Sequence, residues 1–267
     1  MLIYPEIDPV ALIIGPIKIH WYGITYIAGF AVAWLLAVRQ SARSDTVLMR
    51  GQVDDLIFFA ALGAVLGGRL GYSLFYGWDR LADNPLWLFQ VWQGGMSFHG
   101  GLIGVLLAMY WFARSRVIDY RRLLDFIVPL APIGLGFGRI GNFIGQELWG
   151  RASTAPWAMV FPRDPLLLPR HPSQLYQFAL EGLLLFIIVF WFSRKPRPRF
   201  SISGVFLFFY GSFRFFVEFF RQPDRHIGFD ALGWLTRGQL LSMPMIAIGL
   251  LILIYSYHAS NDSSDHI

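Results

Sequence analysis

Apolar residues occur along most of the chain in long runs. As helices, these runs would be about as long as the hydrocarbon core of a bilayer is thick. A membrane-crossing helix needs about 20 such residues, at 1.5 Å per residue over about 30 Å. Seven runs are predicted to be membrane-spanning helices, of which the third is short and the fourth is interrupted by prolines and glycines: residues 18–38, 53–76, 97–113, 123–145, 175–193, 202–221 and 238–257. The pattern predicts an all-α polytopic membrane protein, in which residues 1–267 form a single integral membrane domain.

Composition supports this fold class. Hydrophobic residues make up 55% of the chain and charged residues 15%, and the mean hydropathy is +0.50. The net charge of +5 is dispersed over many loops, so no nucleic-acid-binding surface is expected. There is no cysteine, which excludes a disulfide and a thiol nucleophile of the protein's own. The N-terminal residues lack a basic segment and a small-residue cleavage site, so no removable signal peptide is expected.

The distribution of basic residues predicts the orientation in the membrane. The loops after the first, third and fifth predicted spans carry eleven Arg and Lys residues, whereas the longer loops on the other side carry seven. Cytoplasmic loops are enriched in Arg and Lys. The N-terminus is therefore predicted to be external and the C-terminus cytoplasmic.

With this orientation, the polar residues of the predicted spans lie in their external halves. Ionisable side chains inside a membrane are costly and are functional candidates by default. Scattered structural charges would not favour one leaflet, so we predict one polar cavity that opens toward the external leaflet. The residues concerned are Tyr22, Arg69, His99, Arg139, Glu181, Arg214 and Glu218.

The fourth span ends in the stretch GLGFGRIGNFIGQELWGR, residues 134–151. In a helix, Arg139, Asn142 and Gln146 would share one face, and the regularly spaced glycines would let another helix approach closely. The alternative is that Arg139 extends to the membrane surface without a ligand. Its position several residues inside the span favours a functional role.

The sixth span shows a second polar stripe. Tyr210, Arg214, Glu218 and Arg221 recur at helical spacing along one side of an otherwise aromatic segment. A structural ion pair between Arg214 and Glu218 is the alternative to a ligand-binding role. The two are compatible, since Glu218 could hold Arg214 in place for a ligand.

Two residues near the second and third spans are further candidates. Ser97 is a plausible N-cap, which would place His99 in the first turn of a helix between two Gly-Gly pairs. The positive end of the helix dipole disfavours imidazolium, so His99 is expected to stay neutral and to accept a proton. For Arg69 two alternatives remain open: lining the site, or making a structural contact between helices.

This set of residues suits an anionic, phosphate-bearing substrate, since arginines can stabilise a departing phosphate. A cavity open to the external leaflet indicates a phospholipid. No spacing of His, Asp or Glu indicates a metal site, and no cofactor is expected. A phospholipid transporter or scramblase with an arginine-lined groove is the main alternative from another functional class.

Several separated motifs carry a resemblance to a known family. They are HWYG (20–23), GGRLGYSLFY (67–76), GGMSFHGGLIG (94–104), GRIGNFIGQELWGR (138–151), RHPSQLY (170–176) and YGSFRFFVEFFRQPD (210–224). In order and spacing these motifs resemble the bacterial prolipoprotein diacylglyceryl transferases along nearly the whole chain. The resemblance is weakest in the loop around residues 155–169.

The resemblance implies a seven-span enzyme of the bacterial cytoplasmic (inner) membrane. In that membrane, the external N-terminus and the external-leaflet cavity predicted above would be periplasmic. Such an enzyme moves the diacylglyceryl group of phosphatidylglycerol onto the lipobox cysteine of a prolipoprotein signal peptide. The reaction forms a thioether and releases glycerol phosphate, as the first step of lipoprotein maturation. The absence of cysteine is compatible with this, because the attacking sulfur belongs to the substrate.

The resemblance also implies roles for individual residues. His99 corresponds to the family's essential histidine, and Arg139 lies in its signature motif. Further residues match the family's functional positions: Tyr22, Asn142, Glu147, Gly150, Tyr210, Arg214 and Glu218. The resulting hypothesis has His99 or another base take the thiol proton, while Arg139 and Arg214 hold the phosphate.

In the same hypothesis Asn142 and Tyr22 orient the headgroup, and Glu147 and Glu218 fix the arginines. The identity of the base stays open, because a thiol polarised by arginine could react without His99.

Overall fold

The computed structural model describes residues 2–5, 7–43, 46–90, 93–223, 233 and 235–264. Asp224, the last residue of the sixth motif, and Arg225, one of the seven basic residues counted on the external side, lie outside the described residues. The chain divides into two compact units, residues Met1–Leu36 with Ile127–Ile267 and residues Ala37–Phe126.

The described part of the chain is predominantly helical. The helices are α1 (Trp21–Ser41), α2 (Arg50–Phe75), α3 (Trp78–Asp83), α4 (Phe98–Ser115), α5 (Tyr120–Ile127), α6 (Ala131–Ile144), α7 (Ser173–Phe192), α8 (Ser201–Val217) and α9 (Arg237–Ser264). A 3-10 turn, Val128–Leu130, joins α5 to α6, and residues Phe178–Leu184 of α7 form a π-helix.

Five helical stretches of the described residues are long and apolar enough to cross a membrane: Trp21–Ser41, Arg50–Phe75, Tyr120–Ile144, Ser173–Phe192 and Arg237–Ser260. Ser201–Val217 is apolar but shorter, and Phe98–Ser115 has 18 residues. The predicted class of helical, polytopic membrane protein is confirmed. A helix lies at each of the seven predicted spans, but the number that cross the membrane stays a prediction.

Two predicted spans extend three or four residues beyond the helices found there. The first helix begins at Trp21 rather than at residue 18, because Ile17–His20 pairs antiparallel with Val10–Ile14 in a hairpin. Gly15 turns this hairpin with a φ of 58°, a backbone conformation that glycine adopts without strain. Helix α8 ends at Val217 rather than at residue 221.

A second small sheet joins the N-terminus to the loop after α6. Its strands are Leu2–Ile3, Met159–Val160 and Pro169–Arg170; the first pair is parallel and the second antiparallel. The adjacent Tyr4 is buried, and its hydroxyl donates to the carbonyls of Phe143 and Ile144, both at 3.1 Å. These bonds satisfy carbonyls at the end of α6 that have no partner within the helix.

Glycines set the closest helix contacts in each unit. In the second unit a Cβ at Gly67 of α2 would lie 2.3 Å from the carbonyl oxygen of Gly100 in α4. In the first unit a Cβ at Gly182 of α7 would lie 2.7 Å from the Cα of Gly136 in α6. Small residues allow this close approach between membrane helices. The contact between α6 and α7 positions the candidate site.

Candidate active site

A buried glutamate of α7 lies between two arginines. The side chain of Glu181 is fully buried, and its Oε2 accepts a hydrogen bond from Nη2 of Arg139 at 3.4 Å. Its Oε1 lies 3.6 Å from Nη1 of Arg214 in α8. The Gly136–Gly182 contact explains the first pair, since Glu181 precedes Gly182 and Arg139 lies about one turn after Gly136.

A second buried carboxylate extends this arrangement. Glu218, at the C-terminal cap of α8, forms an ion pair with Nη2 of Arg214 and accepts from Nη1 of Arg221 at 3.3 Å. The Thr236 hydroxyl donates to its other oxygen at 2.8 Å. The predicted Arg214–Glu218 pair is therefore present. We call Arg139, Glu181, Arg214, Glu218 and Arg221 the arginine–carboxylate network.

The network carries more positive than negative charge, with three arginines and two glutamates. The side chains of Arg139 and Arg214 are 19% and 17% exposed, whereas both glutamates are buried. Within the described residues, Nη1 of Arg214 is buried and makes no hydrogen bond. Arginine donors with surplus charge and partial exposure suit an incoming anion such as a phosphate.

Tyr22 lies beside Arg139 because a glycine of α6 leaves room for it. A Cβ at Gly141 would lie 3.0 Å from the Tyr22 ring and 2.7 Å from the Thr25 hydroxyl. The Tyr22 hydroxyl donates to that of Tyr26 at 3.1 Å and interacts electrostatically with Arg139. Tyr22 is 45% exposed, so a ligand could reach its side chain although these contacts fix its position.

Tyr210 and Asn142 also lie along the network. Tyr210, one turn before Arg214, interacts electrostatically with Glu181 and Arg214, and its ring stacks on Phe206 with centroids 5.6 Å apart. Asn142 is buried in α6, almost one turn after Arg139. The structure thus brings these predicted residues together with Tyr22 and the arginines.

Two predicted positions after α6 require correction. The helix ends at Ile144, and Gln146 has a φ of 54°, so it does not share a helix face with Arg139. Its side chain instead accepts a hydrogen bond from the backbone N–H of Arg163 at 2.9 Å. Glu147 is exposed, and the carboxylate found on Arg139 is that of Glu181 rather than that of Glu147.

Gly150 supports the network through the backbone. Its N–H donates to the carbonyl of His171 at 2.8 Å, and a Cβ there would lie 2.5 Å from that oxygen. The next residue, Arg151, donates from its backbone and from Nε to the carbonyls of Phe220 and Arg221, at 2.8 and 3.1 Å. Only glycine fits position 150, where the loop after α6 contacts the segment after α8.

The second unit holds the remaining predicted residues. Ser97 caps α4 as predicted, because its hydroxyl accepts from the N–H of Gly100 at 3.2 Å. His99 lies in the first turn, with its side chain exposed and its ring 5.6 Å from that of Phe98. Arg69 is 2% exposed and donates to backbone carbonyls of the loop before α4. Of the two alternatives for Arg69, the observed contacts are structural, but they join α2 to the segment before α4 rather than to another predicted span.

The sequence places Glu181 in the predicted cavity but indicates no individual role for it. The sequence does mark Glu181 as unusual, because it is the only charged residue in α7. Its pairing with Arg139 was not visible, since it depends on a contact between two helices. Among the described residues, no group of three or more His, Asp or Glu side chains could hold a metal ion.

Comparison with known proteins decides the family. The model of the prolipoprotein diacylglyceryl transferase family matches residues 9–255. The chain belongs to the prolipoprotein diacylglyceryl transferase family. The resemblance seen in the separated motifs is thereby confirmed over nearly the full length.

Three relatives, each named phosphatidylglycerol–prolipoprotein diacylglyceryl transferase, show how close the match is. The protein of Teredinibacter turnerae is 57% identical over 267 residues, covering 96% of this chain and 93% of the relative. That of Pseudomonas aeruginosa is 57% identical over 257 residues, covering 96% of each. That of Pseudomonas putida is 56% identical over 260 residues, covering 97% of each.

Proposed function

We propose that this protein transfers the diacylglyceryl group of phosphatidylglycerol to the cysteine thiol of a prolipoprotein signal peptide. The products are a thioether-linked prolipoprotein and glycerol phosphate. The observation that carries the proposal is the pair of partly exposed arginines, Arg139 and Arg214, that share the buried Glu181. The names of relatives at 56–57% identity support the same reaction.

Arg139 and Arg214 bind the phosphate diester of the lipid. Guanidinium groups match phosphate oxygens with paired, charge-assisted hydrogen bonds. As the bond between the glyceryl carbon and the ester oxygen breaks, the leaving phosphate gains one negative charge. Donors already aimed at this position stabilise the transition state more than the ground state. Glu181 and Glu218 hold the two arginines in place and reduce the electrostatic repulsion between the guanidinium groups.

The substrate thiol becomes the nucleophile when it loses its proton, since the thiolate is the reactive form. His99 is proposed as the base that takes this proton. The new sulfur–carbon bond forms at the glyceryl carbon as the carbon–oxygen bond to phosphate breaks. The electron pair leaves with glycerol phosphate, and the proton passes from His99 to solvent. A thiol polarised by arginine is the alternative that would not need His99.

Tyr22, Asn142 and Tyr210 are proposed to orient the headgroup. Their positions along the network support this, since each lies close to Arg139 or Arg214 in the first unit. Glu147 is exposed at the end of α6, beside Tyr22, with which it interacts electrostatically. It stays a proposed substrate-binding residue.

We place the protein in the bacterial inner membrane with seven crossing helices, a periplasmic N-terminus and a cytoplasmic C-terminus. The bias of basic residues toward alternate loops supports the orientation. The apolar helix Ser201–Val217 and the 18-residue helix α4 supply the two crossings beyond the five longest stretches. In this orientation the arginine–carboxylate network faces the periplasmic leaflet.

The proposal is tested with purified protein, phosphatidylglycerol and a lipobox peptide, by following the mass of the peptide. We expect the cysteine to gain one diacylglyceryl group. Arg139→Ala removes one of the two phosphate-binding groups and is expected to lower the rate about 10³-fold, the upper range for loss of one such donor.

Thermal denaturation of the Arg139→Ala variant controls for folding. No mass gain with folded wild-type protein would refute the transferase activity. The next measurement would then be lipid movement across vesicle membranes, which the transporter or scramblase alternative predicts without any change in the peptide.

A further inference from the structure

One buried arginine holds the loop that precedes α4. Arg69 of α2 is 2% exposed, and each of its three guanidine nitrogens donates to a backbone carbonyl. Nε donates to Leu88 at 2.9 Å, Nη2 to Trp87 at 2.6 Å and Nη1 to Gly94 at 2.5 Å. The guanidinium also lies over the Trp87 ring, 4.4 Å from its centroid.

These contacts bind the short 3-10 helix Pro85–Phe89 and the Gly94 turn in the loop before α4, rather than another long helix. Taking a cation out of water costs several kcal/mol, which carbonyl oxygens and an aromatic face offset. Helices α2 and α4 do not need Arg69 for their packing, since their glycines already bring the backbones together. The fixed fork of guanidinium donors can hold several carbonyls at once, which the compact ammonium of lysine cannot do.

The loop held in this way leads directly to His99. Gly94 and Gly95 have φ values of 78° and 79°, a conformation that glycine favours. The N–H of Ser97 then donates to the carbonyl of Gly68, next to Arg69, at 2.9 Å. Ser97 caps α4, and His99 follows in the first turn.

We infer that Arg69 is a positioning residue for His99: it fixes Trp87, Leu88 and Gly94 in the loop before α4 and thereby the start of α4. This inference rests on the proposed function, in which His99 takes the thiol proton. Arg69 has no contact with the lipid in this role, in contrast to Arg139 and Arg214. Its effect on the reaction is transmitted by the backbone between Gly94 and His99.

Kinetics of Arg69→Met test the inference. A displacement of about 1 Å at a catalytic group can cost about 100-fold, so kcat should fall by about that factor. The KM for phosphatidylglycerol should stay within about twofold, because no headgroup contact is removed. Arg69→Lys keeps the positive charge but loses the forked set of guanidinium donors, and its kcat should fall about tenfold.

Combination with His99→Gln tests the route of the effect. If Arg69 acts through His99, the double variant should react at the rate of His99→Gln alone, because residues that act as a unit are not additive. Losses that multiply would show that Arg69 acts independently of His99. A raised KM with unchanged kcat would assign Arg69 to the headgroup. Either result would overturn the inference.

Two further variants serve as matched controls. Arg80→Met removes another arginine near the Trp87 ring, 5.8 Å away but exposed, and should leave kcat unchanged. Gly95→Ala disturbs the loop directly, since its Cβ would lie 2.4 Å from the Tyr72 ring. It should reproduce the kcat loss of Arg69→Met.

Hydrogen–deuterium exchange provides a readout that does not depend on activity. Arg69→Lys should raise exchange of the amides in residues 93–100 while α8 stays unchanged. Unchanged exchange in this segment would overturn the inference, even where Arg69→Met fails to fold. If wild-type protein shows no transfer but Arg69→Lys raises the exchange, the proposed function fails while the contact between Arg69 and the loop stands.

Discussion

Two regions of the molecule bury arginines in opposite ways. In the first unit, Arg139 and Arg214 pair with Glu181, and their side chains remain 19% and 17% exposed. In the second unit, Arg69 is 2% exposed, and all the hydrogen bonds of its side chain in the described residues go to backbone carbonyls. The residue type and the apolar sequence context are the same in both regions.

The difference teaches which arginines can bind an anion. The donors of Arg69 are engaged at 2.5 to 2.9 Å, so a phosphate would have to displace the loop. The contacts of Glu181 with Arg139 and Arg214 are 3.4 and 3.6 Å long, beyond the usual 2.7–2.9 Å of charge-assisted bonds. Arg139 can therefore turn toward a phosphate without breaking a tight pair. Arg214 differs, because Glu218 holds its Nη2 in a close ion pair and only its Nη1 lacks a hydrogen bond within the described residues.

In the second unit the largest effect is expected for His99→Gln, which tests whether this unit takes part in catalysis. Glutamine keeps hydrogen-bonding groups but cannot serve as a base, and loss of general-base catalysis costs about 10²- to 10⁴-fold in rate. The measurement is kcat with phosphatidylglycerol and lipobox peptide over a range of pH. His258→Gln in α9 is the matched substitution outside the site.

Full turnover by His99→Gln would remove His99 from the role of base. The thiol would then be activated by arginine. Both Arg69 and His99 would have structural roles only. A loss in kcat without a change in the KM for lipid would sharpen the contrast, since phosphate binding would belong to the arginine–carboxylate network alone.

The helices and most residues of the candidate site could be predicted from the sequence. Apolar runs identify membrane helices because their length is imposed by the bilayer. Arg139 and Arg214 stood out because ionisable residues are rare in such runs. The N-terminal hairpin was missed because its exposed strand residues, such as Leu12 and Ile13, are as apolar as a helix.

What could not be predicted depends on contacts distant in sequence or on loop conformation. Glu181 meets Arg139 only because Gly136 and Gly182 let α6 and α7 approach, which no local pattern specifies. Arg69 meets the loop carbonyls only because the backbone turns at Gly94 and Gly95. The end of α6 before Gln146 had a local signal in Gly145, since glycine is common at helix ends.

A smaller effect is expected for Glu181→Gln, which removes the shared charge and keeps the shape. The net charge of the network rises by one, so the anionic lipid should bind more tightly and KM should fall several-fold. The arginines lose their common anchor, and kcat should fall about tenfold, as expected for imperfect alignment. Inhibition by glycerol phosphate should become stronger for the same electrostatic reason.

Glu181→Asp is the matched control, because it keeps the charge and shortens the side chain. It should lower kcat without lowering KM. If Glu181→Gln leaves both KM and product inhibition unchanged and only lowers thermal stability, Glu181 is a structural group. Arg139 and Arg214 would then have structural contacts like those of Arg69, and the contrast between the two regions would fail.

The smallest effect on activity is expected at a fourth buried arginine, Arg170, which calibrates the comparison of Arg69 with Arg139 and Arg214. Arg170 donates to both carboxylate oxygens of Asp164 at 2.6 and 3.1 Å, and both side chains are almost fully buried. Asp164→Asn leaves that guanidinium without its charged partner. Breaking such a pair costs about 3–5 kcal/mol of stability. Turnover per folded molecule should stay within about twofold, because this tight pair has no donor to offer a phosphate.

The pH dependence of stability tests the same pair independently. Burial raises the pKa of Asp164, but hydrogen bonds from Arg170 and from the amides of Leu166 and Leu168 outweigh it, so the pKa lies below its ordinary 3.8. The pair therefore stabilises the protein fully above about pH 4 and loses this contribution as pH falls through the lowered pKa. Thermal denaturation in detergent should show the deficit of Asp164→Asn shrinking over that range. If turnover of folded Asp164→Asn falls as far as that of Glu181→Gln, tight and loose arginine–carboxylate pairs do not differ in function.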